Sequence, residues 1–219
     1  FIFAANGVDK ITIKGGKFRR MNASETIMSN SKSGVFKFEA CSNIHIEQVT
    51  FADSMTMCNV RCIDCKNVEI ALCKTEAYHG MNFGFLNDCE NIYVHDCEMN
   101  NGTNLGYDYM YGVASGFTDY TKEYSGITNF IVENCTVNYT DWEGLDSHGG
   151  MNVRFINNRI INAFRWITAY ADERPVIRPE TKWGNVVIEG NYCKNDKDVS
   201  FALAERDYSI LLHGSHATN

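Results

Sequence analysis

A short pattern recurs along the whole chain: a small or polar residue, usually Asn, is followed by an apolar residue, any residue and a second apolar residue. Successive copies begin 33, 24, 24, 38, 23, 33 and 34 residues apart, so the minimal repeat is 23 to 24 residues. In the first seven copies, the positions one and three after the first residue are all apolar. We call the first residues of the copies anchors, and they are Lys10, Asn43, Asn67, Asn91, Asn129, Asn152, Asn185 and Asn219.

Two further alternating segments flank each pattern, one about eight residues after the anchor and one ending about five residues before it. Each repeat therefore predicts three very short strands joined by corners, with alternate side chains pointing inward. A unit of this length cannot bury its apolar face alone, whereas stacked units bury a continuous core. The predicted fold is all-β: a right-handed parallel β-helix solenoid of about seven rungs, forming a single domain over residues 1–219.

Other repeat architectures fit this pattern less well. A leucine-rich repeat needs a regular leucine pattern, and a β-sandwich would not keep a fixed register over all the intervals. Repeats longer than the minimum must carry their surplus in corner loops, which we place after Phe18, Met99, Ile160 and Cys193. Because both ends of the chain fall inside a repeat, we expect the chain to be a segment of a longer protein.

Composition narrows the classes of partner. Twenty Lys and Arg against 27 Asp and Glu give a net charge of -7, which argues against nucleic-acid binding. The sequence contains no run of 18 apolar residues and no visible signal peptide, so membrane insertion is not predicted. Of the nine cysteines, six recur at two fixed positions relative to the anchors, which predicts buried free thiols: Cys41, Cys65, Cys89, Cys73, Cys97 and Cys135.

The densest group of polar residues is DWEGLDSHGG at 141–150. Counting back from the next anchor places Leu145 and Ser147 inward, so Asp146 and His148 share the outward face of one strand, about 7 Å apart. Clustered acids at such spacing can acquire separated pKa values, as paired acid and base chemistry requires. The predicted catalytic residues are Asp146, His148, Glu143 and Asp141, and the predicted substrate-binding residues are Trp142, Arg165, Glu123, Tyr107 and Tyr109.

With this repeat, the whole chain resembles right-handed parallel β-helix proteins of the pectate-lyase-like superfamily, which includes pectin lyases, polygalacturonases, alginate epimerases and phage tailspikes. The segment EGLDSH at 143–148 is similar to the epimerase motif Tyr-Gly-x-Asp-Pro-His: Gly144, Asp146 and His148 agree, whereas Glu143 and Ser147 differ. In that family the Asp and His serve to remove and return the proton next to a uronate carboxyl. The adjacent Asp pair, Gly-His-Gly and Arg-x-Lys of polygalacturonases are missing.

The resemblance implies a polysaccharide as substrate or receptor. The leading hypothesis is a glycoside-hydrolase-like enzyme that needs no metal or cofactor; the rivals are a uronate lyase and a C5-epimerase. A pectate-lyase-type reaction would use Ca²⁺, held by Asp141, Asp146 and Glu123. A non-catalytic glycan-binding or structural β-helix of a phage tailspike or surface adhesin is the alternative from another class. The tailspike case implies a homotrimer, and an extracellular or virion-surface location suits all these readings.

Overall fold

The computed structural model describes residues 1–19, 34–52, 58–103, 110–119, 121–170, 176–177, 184–196 and 210–213. These residues form twenty-two β-strands and no helix. The first eleven are β1 (Phe3–Asn6), β2 (Asp9–Lys14), β3 (Lys17–Arg19), β4 (Phe36–Glu39), β5 (Ser42–Glu47), β6 (Thr50–Ala52), β7 (Cys58–Ile63), β8 (Lys66–Ala71), β9 (Lys74–Thr75), β10 (Met81–Leu86) and β11 (Glu90–His95). The others are β12 (Glu98–Gly102), β13 (Tyr111–Gly116), β14 (Glu123–Tyr124), β15 (Ile127–Glu133), β16 (Thr136–His148), β17 (Gly150–Ile156), β18 (Arg159–Tyr170), β19 (Val176–Ile177), β20 (Gly184–Glu189), β21 (Tyr192–Lys194) and β22 (Ile210–His213).

Strands pair with their equivalents in the neighbouring repeats, always in parallel. One sheet of seven strands follows the order β2-β5-β8-β11-β15-β17-β20, and these are the strands that begin around the anchors. A second sheet of thirteen strands covers two faces, because β16 pairs with β12 through its first half and with β13 through its second half. The described residues therefore show an all-β architecture of stacked parallel sheets, compatible with the predicted solenoid.

The anchors mark a corner at which every turn of the chain bends in the same way. The seven described anchors have φ between 52° and 64°, the left-handed region in which Asn is the best tolerated residue with a side chain. The Asn side chains also link the turns: from Asn67 onward each Nδ2 donates to the Oδ1 of the previous anchor, as Asn67 does to Asn43 and Asn91 does to Asn67, both at 3.0 Å. We call this row the Asn ladder; it continues through Asn129, Asn152 and Asn185.

A second left-handed corner follows five positions after each anchor. It separates the seven-stranded sheet from the next face, and its residues are Gly15, Gln48, Leu72, Asp96, Asn134, Asn157 and Gly190. Residue type varies more here than at the anchors, and Leu72 carries a half-exposed apolar side chain at φ 54°. The anchor column is thus the corner that the sequence pattern reports most clearly.

The core consists of columns of like side chains, one from each turn. Four phenylalanine rings link two such columns, because Phe18 is in register with Phe51, whereas Phe36 and Phe83 are both in register with Val60. Successive ring centroids in the order Phe18, Phe36, Phe51 and Phe83 are 4.9, 5.6 and 6.0 Å apart. All nine cysteines are free thiols and eight are buried, which confirms the prediction for the six stacked ones. The contacts among the four phenylalanine rings stabilise the core beyond the burial of the rings themselves. Among the described residues, no helix is long and apolar enough to span a membrane.

The longer repeats depart from the predicted loop positions. Strand β18 runs through Ile160 without interruption to Tyr170, so the surplus of that repeat follows Tyr170 rather than Ile160. In the repeat after Met99, β13 at Tyr111–Gly116 lies among the residues that the sequence assigns to a corner loop. Alternating apolar residues fix what lies within a strand, whereas they carry no signal for which corner receives an insertion.

We expect Asn67→Ala to lower the free energy of unfolding by about 2 kcal/mol. Alanine would have to adopt a φ of 54° without the polar side chain that makes this conformation tolerable, and two ladder hydrogen bonds would be lost. Asn67→Gly is the matched control. It loses the same hydrogen bonds but adopts a left-handed conformation freely, so about 1 kcal/mol should be lost. Urea denaturation followed by circular dichroism measures both, and an Ala variant no less stable than the Gly variant would contradict the role of the corner.

Candidate functional site

The candidate site lies on the second half of β16, where this strand passes from one face to the next. Pairing of β16 with β18 is regular up to Thr140 and resumes at Glu143 after a shift in register. Gly144 follows directly, and a Cβ there would lie 2.7 Å from Ile160 Cγ2 and 2.8 Å from the Trp166 carbonyl oxygen. Only glycine therefore allows β16 to lie this close to β18 at the position between Glu143 and Asp146.

Three predicted residues meet at this point. Glu143, Asp146 and His148 each present one oxygen or ring nitrogen, and these atoms lie within 4.8 Å of one another. His148 Nε2 is 2.8 Å from Asp146 Oδ2. We call these three residues the acid–His cluster. Among the residues that the structure describes, it is the one group of acidic, His or Cys side chains close enough to share a metal ion.

Burial sets the acid–His cluster apart from an ordinary charged surface. Leu145 packs in the core, as the alternation predicts, but the outward-facing Asp146 is also only 1% exposed, as is Glu143. His148 borders the solvent, with 12% of its side chain exposed. A ligand approaching from solvent therefore meets the imidazole before it meets either carboxyl group.

Several polar atoms in the acid–His cluster have no hydrogen-bond partner. They are Glu143 Oε2 and both carboxylate oxygens of Asp146, since the short contact of Asp146 with His148 does not have hydrogen-bond geometry. Thr168, which is opposite Asp146 in the next turn, is fully buried and its Oγ1 also lacks a partner. An unsatisfied buried polar group costs about 1–3 kcal/mol, and more when it is charged. The site is thus stabilised by the fold around it rather than by its own contacts.

The two carboxyl groups hold protons more tightly than isolated acids do. Burial, and then the negative charge of Asp146, raise the pKa of Glu143 to about 7, although Arg165 and His148 oppose the shift. Burial also raises the pKa of Asp146, and the neighbouring His148 opposes that shift. A pair of interacting carboxyl groups with raised pKa values can exchange one proton near neutral pH.

Arg165 joins the site from the next turn, as the sequence analysis predicted. It lies opposite Glu143 in the β16–β18 pairing and donates from Nη1 to Glu143 Oε1 at 2.8 Å. Its guanidinium carbon is 4.5 Å from the centre of the Trp142 ring. Trp142 in turn stacks on Phe164, with ring centroids 5.2 Å apart and planes 12° apart. A cation and two aromatic rings therefore border the acid–His cluster, an arrangement that suits a sugar with both polar and apolar faces.

Tyr170 and Tyr111 belong to the site although sequence reasoning did not select them. The hydroxyl of Tyr170 lies 3.0 Å from both ring nitrogens of His148, and the two residues are opposite each other in neighbouring turns. Tyr111 packs edge-on against His148 from the preceding turn, with ring centroids 6.3 Å apart. A count of 22 residues from His148 to Tyr170, close to the minimal repeat, was the available signal. The position of Tyr170 relative to the next anchor does not reveal this interval, because that repeat is longer than the minimum.

The remaining predicted residues lie elsewhere or outside the described part. Asp141 is half-buried on β16 and hydrogen-bonds to Tyr139, whose pKa it raises. Glu123 is exposed in β14, which pairs with β19 rather than with the strands of the acid–His cluster. Glu123 does not lie beside Asp146 in the neighbouring turn, where Ala114 is the residue paired with Asp146. Tyr107 and Tyr109 lie outside the described residues.

A groove on the outer face of the seven-stranded sheet is the competing location. It runs beside the Asn ladder and is lined by residues that include His45, Glu69 and Tyr93. Glu69 is nearly half exposed and lies within 2.9 Å of His45 and 3.1 Å of His95. Because Glu69 is solvated and already paired with two histidines, it is less suited to acid–base catalysis than the buried carboxyl groups of the acid–His cluster.

No protein-family model matches this chain, and no curated protein or solved structure shows significant similarity to it. The chemistry of the acid–His cluster therefore has to be argued from its own residues. Two carboxyl groups and an imidazole in a largely desolvated pocket can move a proton to or from a bound substrate. The same three donor atoms can also hold a metal ion.

We expect Asp146→Asn to stabilise the protein in buffer containing a chelator, by about 1–3 kcal/mol at pH 8. Because the folded state keeps the Asp146 proton to a higher pH than the unfolded chain does, wild-type stability should fall as the pH rises through the raised pKa. The amide variant lacks that fall, so its advantage should be smaller at pH 5. Urea denaturation at both pH values measures this.

The exposed Glu98 provides the control for this prediction, since its carboxylate pairs with Lys74 at the surface. Glu98→Gln should change stability by no more than about 0.5 kcal/mol. A loss of stability in Asp146→Asn that is equal at pH 5 and pH 8 would show that Asp146 is not an uncompensated buried charge.

Proposed function

We propose that this protein binds and cleaves a polysaccharide by acid–base chemistry at Glu143, Asp146 and His148. The observation that carries the proposal is the convergence of two buried carboxyl groups and one partly exposed imidazole within 4.8 Å. Paired acids in distinct environments, here beside an arginine and a tryptophan, favour acid–base cleavage of a glycosidic bond.

The proposed fold is a right-handed parallel β-helix of the pectate-lyase-like superfamily with about seven rungs. Supporting it are the three-strand repeat, the parallel pairing of equivalent strands and the Asn ladder. The likeness of EGLDSH to the epimerase motif adds support, because Asp146 and His148 of that motif are the residues that meet in space. A fold does not fix a reaction, so the function is argued from the acid–His cluster.

In the leading reaction, hydrolysis, Glu143 is the acid and His148 the base. Glu143, whose pKa of about 7 leaves it largely protonated below neutrality, gives its proton to the glycosidic oxygen as the bond to the anomeric carbon breaks. His148 accepts a proton from the water that attacks this carbon, and Asp146 at 2.8 Å stabilises the imidazolium that forms. Proton exchange with solvent then restores both groups. Exposure favours this division of roles, since His148 is the member that borders the solvent.

Arg165 and Trp142 form the substrate contact of the proposal. Arg165 is 17% exposed and already holds Glu143 Oε1, so it can orient the acid while its remaining N–H groups face a sugar hydroxyl or carboxylate. One face of the Trp142 ring is taken by Phe164. Sugar stacking on Trp142 would therefore use its other face or its edge.

The second candidate is proton abstraction from a uronate, the chemistry of lyases and C5-epimerases. The specific observation in its favour is the Tyr170 hydroxyl, 3.0 Å from both ring nitrogens of His148. In this reaction one of the two residues removes the proton next to the uronate carboxyl and Arg165 binds that carboxyl. A lyase then expels the leaving oxygen to form a double bond, whereas an epimerase returns a proton to the opposite face.

The test is mass spectrometry of a panel of neutral and uronate-containing polysaccharides after incubation with the protein in heavy-oxygen water. Hydrolysis places one heavy oxygen at each new reducing end, elimination gives an unsaturated end without it, and epimerisation leaves chain length unchanged. We expect Glu143→Gln and His148→Gln each to lower turnover by about 10²–10⁴-fold, the usual contribution of a general acid or base.

Glu98→Gln is the matched control, because it removes an exposed carboxylate that lies outside the site, and it should leave turnover unchanged. Circular dichroism and thermal unfolding check that each variant is folded. If the wild type binds a polysaccharide on the panel and alters none, the catalytic proposal is wrong and a non-catalytic glycan-binding function replaces it. Equal turnover by wild type and Glu143→Gln would also overturn the assignment.

A further inference from the structure

Three buried carboxylate oxygens of the acid–His cluster have no hydrogen-bond partner. Arg165 contacts Glu143 through Oε1 only, which leaves the buried Oε2 without a hydrogen bond. Neither carboxylate oxygen of Asp146 has a hydrogen-bond partner. With a neutral imidazole, two carboxylates and one guanidinium in a desolvated space leave one net negative charge, which a proton on His148 or on a carboxyl group, or a bound cation, must balance.

A neighbouring residue points to the same conclusion independently. Thr168 is fully buried in the turn next to Asp146 and occupies the same register position, so its side chain is on the same face. Its Oγ1 has no hydrogen-bond partner. An ion in the acid–His cluster that retains a water molecule would supply both a partner for this hydroxyl and the missing positive charge.

We propose that Glu143, Asp146 and His148 form a binding site for a divalent transition-metal ion of the zinc type. The ligands are Glu143 Oε2, one carboxylate oxygen of Asp146 and a ring nitrogen of His148. A mixed set of two oxygens and one imidazole nitrogen favours Zn²⁺ over Ca²⁺ or Mg²⁺, which prefer oxygen ligands alone. Three protein ligands leave a fourth position open.

The distances allow this with a small adjustment. In a tetrahedral site with metal–ligand distances of about 2.0–2.2 Å, the donor atoms are about 3.4 Å apart. The donor atoms here are separated by at most 4.8 Å, and His148 Nε2 and Asp146 Oδ2 are already 2.8 Å apart. All three residues are held on β16 by pairing with β18, and Glu143 and Asp146 also pair with β13, so the adjustment that the site needs is a rotation of side chains.

The metal-site proposal can be tested separately from the polysaccharide reaction, because metal binding is measured without any glycan. The two proposals do share atoms: an ion on Glu143 Oε2 replaces the proton that this carboxyl would give to a glycosidic oxygen. We therefore assign the acid–base reaction to the ion-free protein, and turnover assays belong in chelator-containing buffer.

Isothermal titration calorimetry of the chelator-treated protein with ZnCl₂ tests the proposal. We expect one ion per chain, with Co²⁺ giving the visible absorption bands of a four-coordinate site. Asp146→Asn and His148→Gln should each weaken Zn²⁺ binding at least about 10–100-fold. Loss of a residue that only hydrogen-bonds to a metal ligand already weakens binding by this factor, and these substitutions remove the ligands themselves. Glu143→Gln should do the same, and circular dichroism establishes that the variants are folded.

Glu69→Gln is the matched control, since Glu69 lies between His45 and His95 on the outer face and is the most plausible surface competitor. It should leave the tight site unchanged. No stoichiometric binding by the wild type, or binding lost in Glu69→Gln and kept in Asp146→Asn, would overturn the metal site. Binding that maps to the acid–His cluster in a protein that alters no polysaccharide would instead uphold the metal site and refute the hydrolase.

Discussion

The repeated left-handed corner at the anchors is the constraint on which the rest of this structure depends. A parallel stack keeps its register only if every turn bends at the same residue, and each described anchor does so at φ between 52° and 64°. Asn suits this position twice, because it tolerates the conformation and because its side-chain amide both donates and accepts. The Asn ladder therefore couples the geometry of one turn to that of the next, from Asn43 to Asn185.

Because the register is fixed, the acid–His cluster on β16 meets its partners from the next turn without any of them lying on a long loop. Glu143 is opposite Arg165, Asp146 opposite Thr168 and His148 opposite Tyr170, all in one strand pairing. Side chains on paired strands cannot move apart by more than their own rotation allows. The two carboxyl groups consequently remain buried and close together. Burial raises both pKa values, and the charge of Asp146 adds to the shift of Glu143.

The sequence predicted the parts of this arrangement that depend on local alternation. The anchors, the inward position of Leu145, the stacked thiols and the shared strand of Asp146 and His148 all follow from the repeat. Glu123 and Tyr170 were misplaced or missed because insertions change the count between anchors, and apolar alternation does not record which corner receives them. The burial of Asp146 was also beyond the pattern, since a residue that points away from the core is normally solvated.

That burial is the reason why stability and chemistry oppose each other at this site. A solvated aspartate would cost the fold nothing, yet its pKa would stay low and it would bind cations weakly. Desolvation makes Glu143 able to hold a proton near neutral pH and makes the unpartnered oxygens of Asp146 attractive to a cation. Proton transfer and metal binding are thus two ways of neutralising the same buried charge. The regular stack above and below β16 supplies the stability that this charge consumes.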